Sequence, residues 1–82
     1  MPRYFFDTRD GTFSHRDVSG QELDNLSAAR HAALSTLPSM ADEHIPDIDN
    51  GTFTVSVRDE MGRIVYAAEL TLKGQWGPLA RH

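Results

Sequence analysis

Two consecutive stretches near the end of the chain alternate between apolar and polar residues, and this alternation constrains the fold more than any other feature. Residues 52–59 place Phe53, Val55 and Val57 on one side, and residues 63–73 repeat the pattern after a turn at Met61-Gly62. A period of two is typical of a strand with one buried face. We therefore predict a hairpin whose second strand directs one set of side chains inward (Ile64, Tyr66, Ala68, Leu70 and Leu72) and the other outward (Val65, Ala67, Glu69, Thr71 and Lys73).

A second hairpin is predicted at the start of the chain. Residues 3–8 are rich in aromatic side chains, as strands often are. Asp10-Gly11 follows, a dipeptide that tolerates the positive φ of a tight turn. Residues 12–16 then form a short strand with Phe13 and His15 on one side, before a further turn signal at 17–20.

The segment between the hairpins predicts one amphipathic helix. Asp24 or Asn25 can cap its first turn, and Ile45-Pro46 ends it. Pro38 cannot donate to the carbonyl of Leu34, so we expect a kink or two abutting helical pieces. Apolar residues recur at spacings of three and four, which defines one buried face: Leu26, Ala29, Ala33, Leu37, Met40 and Ala41.

The element order β-β-α-β-β predicts an α+β fold, a four-stranded, mainly antiparallel sheet with one Pro-kinked helix packed on one face. We expect residues 1–73 to form a single domain and residues 74–82, which include Trp76, to form a flexible C-terminal tail. A chain of 82 residues suits one domain. It has no cysteine, so self-association is the remaining common source of extra stability.

The sequence contains no motif typical of a catalytic, cofactor or metal site. Residues 47–51 resemble the start of a calcium loop, but Thr52 and Arg58 stand where that loop needs glycine and glutamate. The four histidines, at 15, 31, 44 and 82, lack ligand spacing. Neither a nucleophile elbow nor a phosphate loop is present. We predict no catalytic residue, no cofactor and no metal, and we assign no small-molecule partner.

Charge and hydropathy limit the classes of partner and the cellular location that we expect. The formal net charge is −4, and the eight Lys and Arg residues are scattered, which disfavours binding to nucleic-acid phosphates. No run approaches the roughly 20 apolar residues of a membrane span, and the first residues lack the pattern of a secretory signal. We therefore expect a cytoplasmic protein without a membrane partner.

One helix can cover only one face of the predicted sheet, so the second face is a candidate partner surface. Its predicted members are Phe5, Thr54, Ser56, Arg58, Val65, Ala67 and Thr71. The leading hypothesis is a small non-enzymatic protein-interaction or regulatory module that self-associates or binds a protein, in which Phe5→Glu weakens assembly and leaves the fold intact. Two other interpretations of this face remain open: an ordinary sheet face exposed to water, and a face covered by Trp76. A nucleic-acid-binding module using this face, and a small enzyme or ligand carrier, are the alternative functions.

Short motifs along the chain also resemble a known family. The chain opens M-P-R-Y-F-F-D and continues with D-G at 10–11, D-x-x-G-x-E-L at 17–23, A-A-R at 28–30 and V-R-D-E-x-G-R at 57–63. In order and spacing these resemble a family of short bacterial proteins described as a domain of unknown function. The resemblance covers roughly residues 1–73. It implies a bacterial, cytoplasmic protein and supplies no activity, ligand or catalytic residue.

Overall fold

The computed structural model describes residues 1–11 and 13–77, and it confirms the predicted α+β class. One strand was not predicted, because it is only two residues long and pairs with the start of the chain. The elements are β1 (Arg3–Asp10), β2 (Phe13–His15), β3 (Gln21–Glu22), α1 (Leu26–Asp42), β4 (Asn50–Arg58) and β5 (Ile64–Lys73). The sheet therefore has five strands in the described part of the chain rather than four.

The sheet is antiparallel throughout and has the order β2-β1-β4-β5, with β3 also pairing β1. The pairing of β1 with β4, from Phe5 opposite Arg58 to Asp10 opposite Phe53, joins the two predicted hairpins into one sheet. Because β1 and β4 are central and paired in this register, alternate residues from Phe5 to Arg9 and from Thr54 to Arg58 share one face of the sheet.

A β-bulge between β4 and β5 corrects two predicted side-chain directions. Val57 pairs with Tyr66 and Arg58 pairs with Ile64, which leaves Val65 as the extra residue. Val65 packs against the core, so its predicted place on the candidate partner surface is wrong. Ile64, predicted to point inward, is 65% exposed and lies beside Ser56 on the opposite face.

The helix begins where the sequence predicts. Asn25 is its N-cap, and its side-chain Oδ1 accepts a hydrogen bond from the Ala28 N–H at 2.9 Å. The helix continues through Pro38 as one element, so of the two expectations, a kink or two abutting pieces, the second is not observed. Pro38 is exposed, where water can reach the Leu34 carbonyl that lacks its usual donor. No helix in the described ranges is long and apolar enough to cross a membrane.

The core lies between α1 and one face of the sheet. Alanines on the inner side of α1 allow the helix to approach the strands closely, and Val55 and Val57 beneath it are fully buried. Each such valine contributes on the order of 1.5–3 kcal/mol relative to an exposed one. The buried hydrophobic residues are Tyr4, Ala29, Ala33, Leu37, Ala41, Phe53, Val55 and Val57.

The predicted tail is described only in part. Gly74 donates its N–H to the Asp49 carbonyl, and residues 74–77 have no regular secondary structure. Trp76 is 89% exposed, so it does not cover the second face of the sheet. Residues 78–82 of the predicted tail lie outside the described residues.

Candidate partner surface

The face of the sheet opposite α1 forms a continuous surface across four strands. One row of directly paired residues runs Ser14, Arg9, Thr54 and Glu69, from β2 to β5. We call this surface the open face, and its strand residues are Phe5, Asp7, Arg9, Ser14, Thr52, Thr54, Ser56, Arg58, Ile64, Ala67, Glu69 and Thr71. The structure thus brings together every predicted surface residue except Val65.

One end of the open face is closed by an ion pair. Arg58 on β4 makes a two-pronged contact with Asp7 on β1, from Nε to Oδ2 at 2.6 Å and from Nη2 to Oδ1 at 3.1 Å. Its Nη2 also donates to the carbonyl of Asp17 at 2.9 Å. The Arg58 side chain is only 13% exposed. Arg58, predicted to face a partner, is therefore engaged within the molecule.

Asp17 fastens the loop of residues 16–20 to the sheet. Its Oδ2 accepts from the Phe6 N–H at 3.0 Å, and its Oδ1 accepts from the N–H groups of Ser19 and Gly20, both at 3.1 Å. Its own N–H donates to Asp7 Oδ1 at 3.0 Å. The loop and β1 are thus joined through two carboxylates that accept bonds from neighbouring donors.

These donors lower the pKa of both carboxyl groups. The hydrogen bonds from Arg58 lower the pKa of Asp7 against the opposing effect of burial, and the Asp17 N–H and the charge of Arg16 add to the effect. The Phe6 N–H is the main cause of the lowered pKa of Asp17. A lowered pKa makes each carboxylate a weaker base than an ordinary aspartate, and the same hydrogen bonds join the loop to the sheet.

Phe5 lies against the same loop. The Arg58 guanidinium carbon lies 5.1 Å from the centre of its ring. Gly20 has a φ of +72°, and a Cβ at that position would lie 2.8 Å from both Phe5 Cε2 and Arg3 Cγ. Phe5 is therefore half-buried among the chain's own groups, and Phe5→Glu would disturb the fold rather than probe a partner surface.

The rest of the open face is accessible and shallow. A depression of about 390 Å³ lies over Ser14, Thr54 and Ser56, and Arg9 and Arg16 border it. A second depression continues from Thr54 and Ser56 to Ala67 and Glu69. We call the six residues Arg9, Ser14, Thr54, Ser56, Ala67 and Glu69 the free half of the open face.

Charges are separated across the free half. Arg9 and Arg16 are exposed on the β1–β2 side, and neither pairs with a carboxylate among the described residues. Glu69 is exposed on the β5 side. The hydroxyls of Thr54 and Ser56 on β4 lie between them, and the methyl group of Ala67 lies beside Ser56 on β5. The surface is therefore positive on one side, negative on the other and shallow and uncharged in the middle.

Arg9 and Glu69 were not predicted to lie on the candidate partner surface. Glu69 has the outward phase of β5, but an outward glutamate is ordinary on a strand. Arg9 lies beyond the stretch predicted as the first strand, and its position opposite Thr54 depends on the pairing of β1 with β4. The D-x-x-G run at 17–20 was the one available signal for the Asp17 loop, since aspartate commonly bonds backbone N–H groups two or three residues ahead.

Comparisons with known proteins identify a family. Residues 3–71 match the model of a family described as a domain of unknown function, DUF6894. The match confirms the family resemblance and covers nearly all of the residues on which it was based. No curated protein and no solved structure matches the chain.

Proposed function

The chain belongs to this domain-of-unknown-function family, and we propose that it is a small non-enzymatic interaction module that binds a protein chain through the free half of the open face. The observation that carries the proposal is the separation of exposed Arg9 and Glu69 by an uncharged, accessible stretch of sheet. The proposal includes a cytoplasmic location in a bacterium, which rests on the resemblance of the sequence motifs.

The shape of this surface favours a protein partner over a small molecule. Small-molecule sites are concave and enclose most of their ligand. Here the depressions lie side by side along a sheet face and share Thr54 and Ser56. A flat surface with charges at its borders is typical of weak protein–protein contacts, in which charge guides orientation and partner choice.

The contacts of Phe5 disfavour a nucleic-acid partner. Open-sheet nucleic-acid modules stack bases on exposed aromatic side chains. Phe5 is the aromatic residue of the open face among the described strands, and it lies between Gly20 and Arg58. The free half contains no aromatic residue, and the chain as a whole carries a net charge of −4.

The proposal is tested with a substitution in the centre of the free half. Ser56→Lys places a long charged side chain where a partner must approach, and Ser39→Lys places the same side chain on the exposed surface of α1 as a control. We expect a protein, either this chain or another, to bind the wild type and the control at a fixed stoichiometry and to lose binding to Ser56→Lys. Circular dichroism and Tm establish that each variant is folded.

Two results would contradict the proposal. One is a protein partner that binds Ser56→Lys as tightly as the wild type, measured by calorimetry with purified components. The other is salt-sensitive binding of RNA or DNA that Ser56→Glu abolishes, since this would assign the surface to nucleic acid.

A further inference from the structure

We propose that a second copy of this chain occupies the free half, in a face-to-face dimer whose two-fold axis runs parallel to the strands along β4. This inference rests on the proposed function and identifies its partner. Arg9 of each copy then faces Glu69 of the other, and two equivalent ion pairs close the contact.

The register of the sheet carries the inference. Arg9 is directly opposite Thr54, and Thr54 is directly opposite Glu69. Adjacent strands lie about 4.8 Å apart, so Arg9 and Glu69 are placed at nearly equal distances on either side of Thr54. Rotation by half a turn about an axis along β4 therefore brings Arg9 of one copy over the position of Glu69 in the other.

The same charges exclude the other simple two-fold arrangement. An axis in the plane of the sheet but perpendicular to the strands would place Arg9 against Arg9 and Glu69 against Glu69. Like charges in direct contact disfavour an interface, so the charge pattern selects the axis parallel to the strands. Lys73 does not interfere, because it pairs with Asn50, beyond the point where β1 ends opposite Phe53.

The uncharged centre suits close contact between two sheets. Packed sheets lie about 10 Å apart and align within about 30° of each other. Thr54, Ser56 and Ala67 are small, so they leave room for the strands of two copies to approach this distance. The longer side chains of Arg9 and Glu69, at the borders, can then reach across the gap.

The area of the free half is small for a stable dimer. The strand spacing and rise imply a contact of roughly 300–500 Å² for each copy. A standard stable interface buries about 800 Å² for each partner. We therefore expect a weak dimer that forms at micromolar or higher concentrations, and the experiment must extend into that range.

The test reverses the charges of Arg9 and Glu69, first singly and then together; we call each single reversal an exchange. We propose to measure the mass of the full chain by sedimentation equilibrium for the wild type, Arg9→Glu, Glu69→Arg and the double variant. Two control variants, Arg30→Glu on α1 and Glu60→Arg in the β4–β5 turn, change the net charge by the same amounts away from the open face. Circular dichroism checks that each variant is folded.

We expect the wild type and both controls to approach twice the 9.2 kDa monomer mass as concentration rises. Each single exchange should weaken the dimer by about tenfold or more, and the double variant should recover most of the loss because its charges are complementary again. A wild type that stays monomeric throughout, or a dimer that neither exchange weakens, would overturn the inference.

Failure of the inference is distinguishable from failure of the proposed function. If the wild type is monomeric but binds a different protein that Ser56→Lys no longer binds, only the second copy is excluded as the partner. If Ser56→Lys binds everything that the wild type binds, the free half is not a partner surface and both proposals fail.

Discussion

At the scale of single residues, the contacts around Arg58 decide which part of the open face is available. Asp7 and the Asp17 carbonyl both accept from this guanidinium, and Phe5 lies against it. A surface arginine is ordinarily a good interface residue, but Arg58 has already exchanged water for partners within the chain. Binding at this end would require these bonds to break first.

Gly20 is the residue on which the packing of this end depends most directly. We expect Gly20→Ala to lower the free energy of unfolding by about 2–3 kcal/mol, because the added methyl group combines an unfavourable φ with a collision against Phe5 and Arg3. Urea denaturation followed by circular dichroism measures the change.

Gly62→Ala is the matched control for this prediction. Gly62 has a φ of +84°, but a Cβ there meets no atom within 4 Å. Its substitution should therefore cost only the backbone term, about 1 kcal/mol. Equal losses for the two variants would show that the collision of the added methyl group with Phe5 and Arg3 does not contribute to the loss.

The lowered pKa values of Asp7 and Asp17 predict a loss of stability in acid. A carboxyl group with a folded-state pKa below its ordinary value of 3.8 stabilises the fold above that value. This contribution disappears as pH falls from about 4 toward the lower folded-state pKa. We expect Tm to fall over this range and to fall less steeply in the double variant Asp7→Asn/Asp17→Asn, as measured by thermal melts. Parallel curves for the two proteins would contradict the assignment.

At the scale of elements, the phase of β4 was predictable from the sequence and the phase of β5 only in part. Phe53, Val55 and Val57 alternate as expected because one face of the strand is buried without interruption. In β5 the bulge opposite Val57 and Arg58 shifts the first two residues. A bulge depends on how two strands meet, so the alternation within one strand does not reveal it.

The bulge predicts that two neighbouring substitutions change the free energy of unfolding by very different amounts. Val65→Lys should lower the free energy of unfolding by about 1.5–3 kcal/mol, because Val65 packs against the core. Ile64→Lys should change it by no more than about 0.5 kcal/mol, since Ile64 is 65% exposed. Urea denaturation of the two variants measures the difference. A larger loss for Ile64→Lys than for Val65→Lys would contradict the bulge and support the regular alternation that the sequence implies.

At the scale of the whole molecule, the fold class could be predicted but the site could be predicted only in outline. Hydrophobic periodicity is local, so it identified the helix and the two hairpins. The row that contains Arg9, Thr54 and Glu69 joins residues far apart in sequence, and only the pairing of β1 with β4 creates it. The open face was therefore expected, while its division into an occupied end and a free half was not.

The loop of residues 16–20 has a consequence for how any partner is positioned. A flat sheet face by itself allows a partner to slide along the strands, because neighbouring rows of side chains look alike. This loop runs beside Phe5 and is tied to β1 by Asp17, and Arg58 donates to its backbone, so the chain's own contacts fix this end of the surface. A partner on the proposed surface that moved toward Arg58 would meet side chains that are already bonded to this loop. The turn between the second and third strands would thus limit the register of the proposed interface, although its own side chains need not contribute to it.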